Sequence, residues 1–119
     1  MASEISVSAS ISATKNSVTA SAAATLAITM SGEDMMADTQ VFPITTPEAI
    51  LLGDITGAPA AIFIKNMDAT NNLLLSVGAS PTFCTLLPGQ FTLICGPVAD
   101  IRGVASASTV RAQIVAVEA

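Results

Sequence analysis

The sequence contains no histidine, tryptophan or tyrosine, and only four phenylalanines. Without histidine there is no Ser-His or Cys-His nucleophile pair, no histidine-ligated zinc and no histidine-based metal centre of the cupin type. The sequence also lacks a Gly-x-Ser-x-Gly nucleophile elbow and a glycine-rich phosphate loop. We therefore predict that the protein is not an enzyme and has no catalytic residue, no cofactor and no metal site.

Cysteine is also scarce, because Cys84 and Cys95 are the only two in the chain. They flank residues 87–90, and one register of a hairpin around that turn would place them opposite each other, as a disulfide requires. The N-terminus shows no signal-peptide pattern, and disulfides are rare in proteins that are not secreted. We therefore predict two small, buried apolar residues instead of a disulfide.

Charged residues form only 11% of the chain, against about 25% in an ordinary soluble domain. The net charge is −5, and the four basic residues are scattered along the sequence. Without a basic stripe or an aromatic stacking platform, we predict no binding to nucleic acid. No apolar stretch approaches the length of ~20 residues that a membrane helix needs, so we predict no membrane association.

Part of the surface must therefore be Ala, Ser and Thr, because so few charges cannot cover a domain of 119 residues. A monomer with such a surface risks edge-to-edge association, whereas a subunit surrounded by copies or partners does not. The composition thus favours a component of an assembly. We interpret residues 1–119 as one domain, with an N-terminal hairpin or arm at 1–31 and a body at 32–119.

The N-terminal segment has the period-two pattern of a strand with one buried face. Ile5, Val7, Ala9 and Ile11 alternate with serines, residues 15–17 form a turn, and a return strand begins at Val18. This segment is either the first part of a sandwich or an extended arm that lies on a neighbouring subunit.

The middle of the chain, residues 60–94, contains short apolar runs separated by turns. The runs at 62–64, 73–75 and 91–94 are too short for helices and rich in residues that favour strands. Residues 66–72 and 87–90 supply Asn, Asp, Pro and Gly for turns. This pattern predicts consecutive antiparallel strands.

The flanking segments are expected to complete the same structure. Pro43 suits a sheet edge, residues 49–52 form a buried run, and a strand lies within 98–104. Residues 33–37 are compatible with a helical turn or a loop. The last strand, from Val110, is apolar on nearly both faces, so it is either central in a sheet or its outer face meets a partner.

In total we predict eight to ten short strands and an all-β fold, an antiparallel β-sandwich of the jelly-roll kind. The oxygen-rich segment at 68–72 could suggest calcium, but it lacks the repeated carboxylates of a calcium loop. We predict an Asx-turn there.

Several short motifs, most of them turns with flanking strand residues, together resemble those of a known group of proteins. They are Phe63-Ile64-Lys65-Asn66, Asp68-Ala69-Thr70-Asn71, Leu87-Pro88-Gly89 before Phe91, and a last strand that ends at Glu118, together with Thr14-Lys15-Asn16 and Ile28-Thr29-Met30-Ser31-Gly32 near the N-terminus. In these features the chain resembles small virion accessory proteins of tailed bacteriophages. The resemblance implies a β-sandwich subunit, often oligomeric, on a capsid or tail, and it carries over no catalytic residue.

The function expected from composition and resemblance is a capsid decoration or cement protein that stabilises a shell through subunit contacts. Its arm, through Ile5, Val7, Ile11 and Val18, would add a strand to a neighbour's sheet. Its partners would be copies of itself, as a trimer or larger ring, and other virion proteins such as the major capsid protein. The protein would be located in the virion, after assembly in the cytoplasm of a bacterial host.

Two alternatives remain open at this point. A tail, neck or head-fibre component of the virion would have the same sequence features. A receptor- or carbohydrate-binding module would need an aromatic platform, and four Phe without Trp or Tyr form a poor one.

Overall fold

A computed structural model describes residues 5–28, 35–53, 55, 59–78, 80–95 and 99–118. Within these ranges the chain forms ten β-strands and no helix, and hence no helix that could cross a membrane. The strands are β1 (Ile5–Lys15), β2 (Val18–Ile28), β3 (Met35–Phe42), β4 (Glu48–Ala49), β5 (Ala61–Asn66), β6 (Leu73–Val77), β7 (Cys84–Leu86), β8 (Phe91–Cys95), β9 (Ile101–Ala105) and β10 (Val110–Val117). The predicted all-β fold is confirmed.

Strands β1 and β2 form a two-stranded antiparallel hairpin, which we call the ribbon. Its pairs run from Ile5 opposite Ile28 to Lys15 opposite Val18. The two turn residues, Asn16 and Ser17, have φ angles of 52° and 67°. Positive φ at both positions is the geometry of a type I′ turn, whose twist matches that of the strands. The predicted hairpin and its turn are therefore confirmed.

The other eight described strands form two four-stranded sheets. Sheet I has the order β3-β10-β5-β8 and sheet II the order β4-β9-β6-β7. All pairs are antiparallel, and they are nested: β3 pairs with β10, β4 with β9, β5 with β8 and β6 with β7. The body is thus an antiparallel β-sandwich, as predicted. Strand β10 lies inside sheet I, between β3 and β5, which agrees with the first of the two alternatives for it, a central position in a sheet.

The hydrophobic core lies between the two sheets. Every second residue of β10 is buried, and β5 contributes Ile62 and Ile64 from the same sheet. Sheet II contributes Leu73, Leu75 and Ile101. This alternation of buried and exposed residues is what a strand with one face on a core produces.

Of the consecutive antiparallel strands predicted within residues 60–94, β6 and β7 pair with each other, but β5 does not pair with β6, nor β7 with β8. Strands β5 and β6 belong to different sheets, and so do β7 and β8, so residues 66–72 and 87–90 cross between layers. Cys84 and Cys95 therefore lie in different sheets as free thiols, and the hairpin register that would have placed them opposite each other is wrong. The predicted burial is also wrong, since Cys84 is half-buried and Cys95 is exposed.

Two local predictions also need correction. Residues 35–37 belong to β3, so the helical turn is wrong there, while residues 33–34 lie outside the described ranges. The run at 49–52 is a strand only at its start, in β4, and Leu51 is exposed although Ile50 is buried. Both segments form edge strands of the sandwich, β3 in sheet I and β4 in sheet II. A local sequence pattern does not show which strands lie at an edge.

The crossings between layers are held by the buried side chain of Asn66. Its Nδ2 donates to the carbonyl oxygens of Asn71 and Leu86, both at 2.9 Å, and its Oδ1 accepts from the N–H of Asp68 at 2.8 Å. Its backbone N–H donates to Gln90 O at 2.9 Å, and its carbonyl accepts from Gly89 N at 3.0 Å. One residue at the end of β5 thus fixes both crossing turns.

The two sheets pack closely at Gly103 of β9. A Cβ atom at this position would lie 2.8 Å from ring atoms Cδ1 and Cε1 of Phe42 in β3, and 3.2 Å from Cδ1 of Leu73. Because the Phe42 ring is fully buried, it has no free space into which it could move.

We expect the substitution Gly103→Ala to lower the free energy of unfolding by about 1–3 kcal/mol, as overpacking of a core does. In a Phe42→Leu background the smaller side chain leaves room for the added methyl group, and the same substitution should destabilise less. Urea unfolding of both single variants and the double variant measures this coupling. Strictly additive effects would show that the Phe42 contact is not the cause.

Candidate interaction surface

The ribbon has one apolar and one hydroxyl-rich face. Because side chains alternate along each strand, the register places all the larger apolar side chains of the ribbon on a single face, which we call the apolar face. This face comprises Ile5, Val7, Ala9, Ile11, Ala13, Val18, Ala20, Ala22, Ala24, Leu26 and Ile28, with Lys15 opposite Val18 at its distal end. Lys15, next to the turn, is the one charged residue of the two strands.

The ribbon is anchored at its base and exposed towards its tip. Ile5 is only 6% exposed and Val7 is half-buried, whereas Ile11 and Val18 are 72% and 70% exposed. Residues 5–8 line a groove of about 270 Å³ together with sheet I, whose contributing residues are Ala61, Phe63, Leu93, Val115 and Val117. The distal part of the apolar face therefore has no layer of its own chain across it among the described residues.

The four predicted contact residues fall on the same face of the ribbon but in two different environments. Ile5 and Val7 lie at the base, where they border the groove on sheet I of their own body. Ile11 and Val18 lie on the exposed distal part. The first pair thus positions the ribbon, and the second pair presents apolar area to solvent.

A shallow hollow lies midway along the apolar face. Its walls are the side chains of Ala9, Ile11, Ala22 and Ala24, and its floor is the backbone of the facing pair Ser10 and Ala23. The hollow has a volume of about 310 Å³. Alanine is what creates it, because a longer side chain at these positions would fill the space above the strands.

The outer face of sheet I carries a protruding aromatic pair. The rings of Phe63 in β5 and Phe91 in β8 stack with centroids 5.6 Å apart and an interplanar angle of 30°. Phe91 is 64% exposed. Leu93 and Val115 continue this apolar area, since the register places them on either side of Phe63 in neighbouring strands.

Sequence reasoning found only part of this second surface. The double-sided apolar pattern of β10 indicated that its outer face could meet a partner, and Val115 lies there. Phe63 and Phe91 were assigned to strands, but their stacking depends on the pairing of β5 with β8. That pairing joins residues more than twenty positions apart, and no local pattern specifies it.

The chain exposes more area than a compact protein of its size. A compact monomer of 12.0 kDa would expose about 6,000 Å², and this chain exposes 7209 Å². Its radius of gyration is 15.5 Å, against about 13.5 Å expected for a compact chain of this length. A ribbon that projects from the body is consistent with both the larger exposed area and the larger radius of gyration.

The oxygen-rich segment at 68–72 forms a hydrogen-bonded turn. Oδ2 of Asp68 accepts the N–H of Asn71 at 2.6 Å and the N–H of Thr70 at 3.0 Å, which confirms the predicted Asx-type turn. Over the described ranges there is no group of three or more Cys, Asp or Glu side chains that could hold a metal ion. The carboxylate thus serves the fold.

Comparison with protein-family models, with curated proteins and with solved structures finds no match to this chain. The ribbon and the outer face of sheet I must therefore be interpreted from their own geometry and chemistry.

The Asx-type turn makes stability depend on pH. Hydrogen bonds from the N–H groups of Asn71 and Thr70 hold the pKa of Asp68 below its ordinary value of 3.8. A carboxyl group with a lowered pKa in the folded state stabilises the fold above its unfolded pKa, and this contribution is lost as the pH falls through the folded pKa. We therefore expect the wild type to lose stability below about pH 4, and Asp68→Asn to lose less over the same interval.

Urea unfolding at pH 6 and at pH 3 would measure this difference between the two proteins. The control is Glu48→Gln, which alters an exposed carboxyl group on β4 and should retain the loss seen in the wild type. Equal losses for wild type and Asp68→Asn would contradict the role of the turn.

Proposed function

We propose that this chain is a non-enzymatic structural subunit of a bacteriophage virion, and specifically a capsid decoration or cement protein. The observation that carries the proposal is the exposed distal part of the ribbon, where Ile11 and Val18 are 72% and 70% exposed. A two-stranded hairpin is at best marginally stable on its own and needs further strands or a packed face. A ribbon built in this way is suited to a neighbour that completes it.

The energetic argument follows from the area that such a neighbour would bury. A standard interface buries ~800 Å² on each partner, and apolar burial contributes roughly 25 cal/mol per Å² before the opposing terms are subtracted. Association entropy and side-chain ordering oppose this gain, so one contact of this kind need not be tight. In a shell, the contact is repeated by symmetry, and multivalency then holds the subunit in place.

Both edges of the ribbon also suit attachment to a neighbour's sheet. Strand β1 pairs only with β2, so each of the two strands has one unpaired edge among the described strands. Main-chain N–H and C=O groups along such an edge can extend another sheet by strand addition, and the small side chains leave the edge accessible. The sandwich would serve as the rigid body that carries the ribbon.

The virion is proposed as the assembly on two grounds. The sequence motifs resemble those of phage accessory proteins, and the nested pairing of the eight body strands supports the finer description of the sandwich as a jelly roll. This architecture occurs in viral capsid domains, and also in lectins and cupins. A lectin-like role has less support here because the only aromatic side chains are four Phe.

A shortened ribbon tests this proposal. Replacing residues 10–23 with Asn-Gly would place a type I′ turn between Ala9 and Ala24, which belong to the same class of strand pair as the present Lys15 and Val18. The base of the ribbon, with Ile5 and Val7, stays intact. We expect the body to remain folded and its occupancy on particles to fall at least ~10-fold, which corresponds to about 1.4 kcal/mol.

Occupancy is measured by quantitative gel analysis and immunogold imaging of purified particles, and folding by circular dichroism of the isolated chain. The matched control is Ser17→Gly in the full-length ribbon, which has the same turn chemistry and should attach normally. Normal attachment of the shortened chain would exclude the ribbon as the attachment site. Absence of the wild-type chain from purified particles would refute the virion assignment itself.

A further inference from the structure

We propose that the ribbon of one copy of this chain lies with its hollow over the Phe63–Phe91 pair on sheet I of a second copy. The inference rests on the proposed function only in treating the chain as an assembly component. It adds the identity of one partner, a second copy of this chain, and the two surfaces that meet.

The two surfaces are both apolar, and one is hollow where the other carries aromatic rings. The apolar face of the ribbon has a hollow of about 310 Å³ with alanines at most of its walls. The outer face of sheet I has a protrusion, in which Phe91 stacks on Phe63 and remains 64% exposed. Aromatic side chains that become buried against a partner are typical of the residues that dominate protein interfaces.

Within one copy the two surfaces do not cover each other. All residues that line the hollow are exposed, and so is Phe91. Residues 5–8 of the ribbon line a groove with Phe63, Leu93 and Val115 of its own sheet I, whereas the hollow lies further along the ribbon. A second copy is therefore needed to bring the hollow and the aromatic pair together.

The exposed area agrees with a partner of this kind. The excess over a compact monomer is about 1,200 Å², because the chain exposes 7209 Å². A standard interface requires ~800 Å² from each partner. Charges are sparse on both surfaces: the ribbon bears only Lys15, and Phe63, Phe91, Leu93 and Val115 are uncharged, although Lys65 lies directly opposite Phe91 in the register.

Contact between two different surfaces is heterologous, so it must close on itself to avoid an open filament. Each copy offers one hollow and one aromatic pair, so closure takes the form of a dimer that exchanges ribbons reciprocally or a ring in which each ribbon lies on the next copy. In such an assembly the apolar face of every ribbon is covered and no copy has an unused surface of this type.

Two substitutions, one on each surface, test the contact in the full-length chain. Ala24→Glu places a charge in the hollow, and Phe91→Ser removes the protruding ring. Their matched controls are Ala23→Glu, on the opposite face of the same strand, and Phe83→Ser, which removes a ring that is 51% exposed elsewhere on the body. Light scattering coupled to size exclusion measures the mass, and circular dichroism verifies the fold of each variant.

We expect the wild type and both controls to have at least twice the monomer mass of 12.0 kDa, and Ala24→Glu and Phe91→Ser to be monomeric. A monomeric wild type would overturn the inference. It would also be overturned if Ala24→Glu alone dissociated the assembly, because that result indicates contact between two ribbons.

Mixing the two monomeric variants provides a second measurement. Phe91→Ser retains an intact ribbon, and Ala24→Glu retains an intact aromatic pair, so one contact of the proposed kind can form between them. A heterodimer is expected at high concentration, and its absence contradicts the contact of ribbon with sheet.

The results of these self-association measurements do not depend on whether the chain belongs to a virion. A protein that self-associates in this way but is absent from purified particles refutes the proposed function alone. A monomeric protein that is present on particles refutes only the self-association.

Discussion

A strand can bury its apolar side chains only if a second layer lies across them, and this requirement organises the whole chain. In the body, each of the two sheets provides that layer for the other, and the core of β5, β6, β9 and β10 lies between them. The ribbon has the same alternation of side chains but a second layer only at its base. The same requirement is thus met throughout the body, but among the described residues it is not met along the distal part of the ribbon.

The body can support a projecting ribbon because its own two layers are tightly joined. At Gly103 the sheets are so close that the Phe42 ring occupies the space of a missing side chain. At Asn66 a buried amide uses three side-chain hydrogen bonds to hold the crossings between layers. Such a fully satisfied buried polar group favours one arrangement of turns over others, because any shift would leave it unpaired. The ribbon is therefore carried on a rigid base.

The sequence allowed prediction of elements whose signal is local. The strand alternation at Ile5 to Ile11, the turn at residues 15–17 and the two-sided apolar pattern of β10 all depend on neighbours in the chain, and the structure has the hairpin and the central position of β10. The partners of strands depend on contacts between distant residues. The turn at 87–90 looks like a hairpin by its Pro-Gly, yet it crosses between sheets, which is why the placement of Cys84 and Cys95 was wrong.

The same distinction applies to the candidate site. Ile11 and Val18 were identified from the alternating pattern of the hairpin, but that pattern predicted a buried face and both residues are exposed. The aromatic pair required knowledge that β8 lies beside β5, which brings Phe91 to the ring of Phe63. An apolar face can be inferred from a pattern, but a protrusion formed by two strands can be seen only once their pairing is known.

The scarcity of charge finally determines what kind of recognition these surfaces can perform. Charge pairs give an interface its steering and much of its specificity, and the ribbon has one charged residue, Lys15, in its two strands. Discrimination by such a surface would have to come from shape, and the apolar face combines five alanines with six larger apolar residues. Alanine also adds little apolar area per residue, so an uncovered ribbon exposes less than a leucine-rich one would. A ribbon with few charges and many alanines would thus recognise a partner by shape while exposing little apolar area before the partner binds.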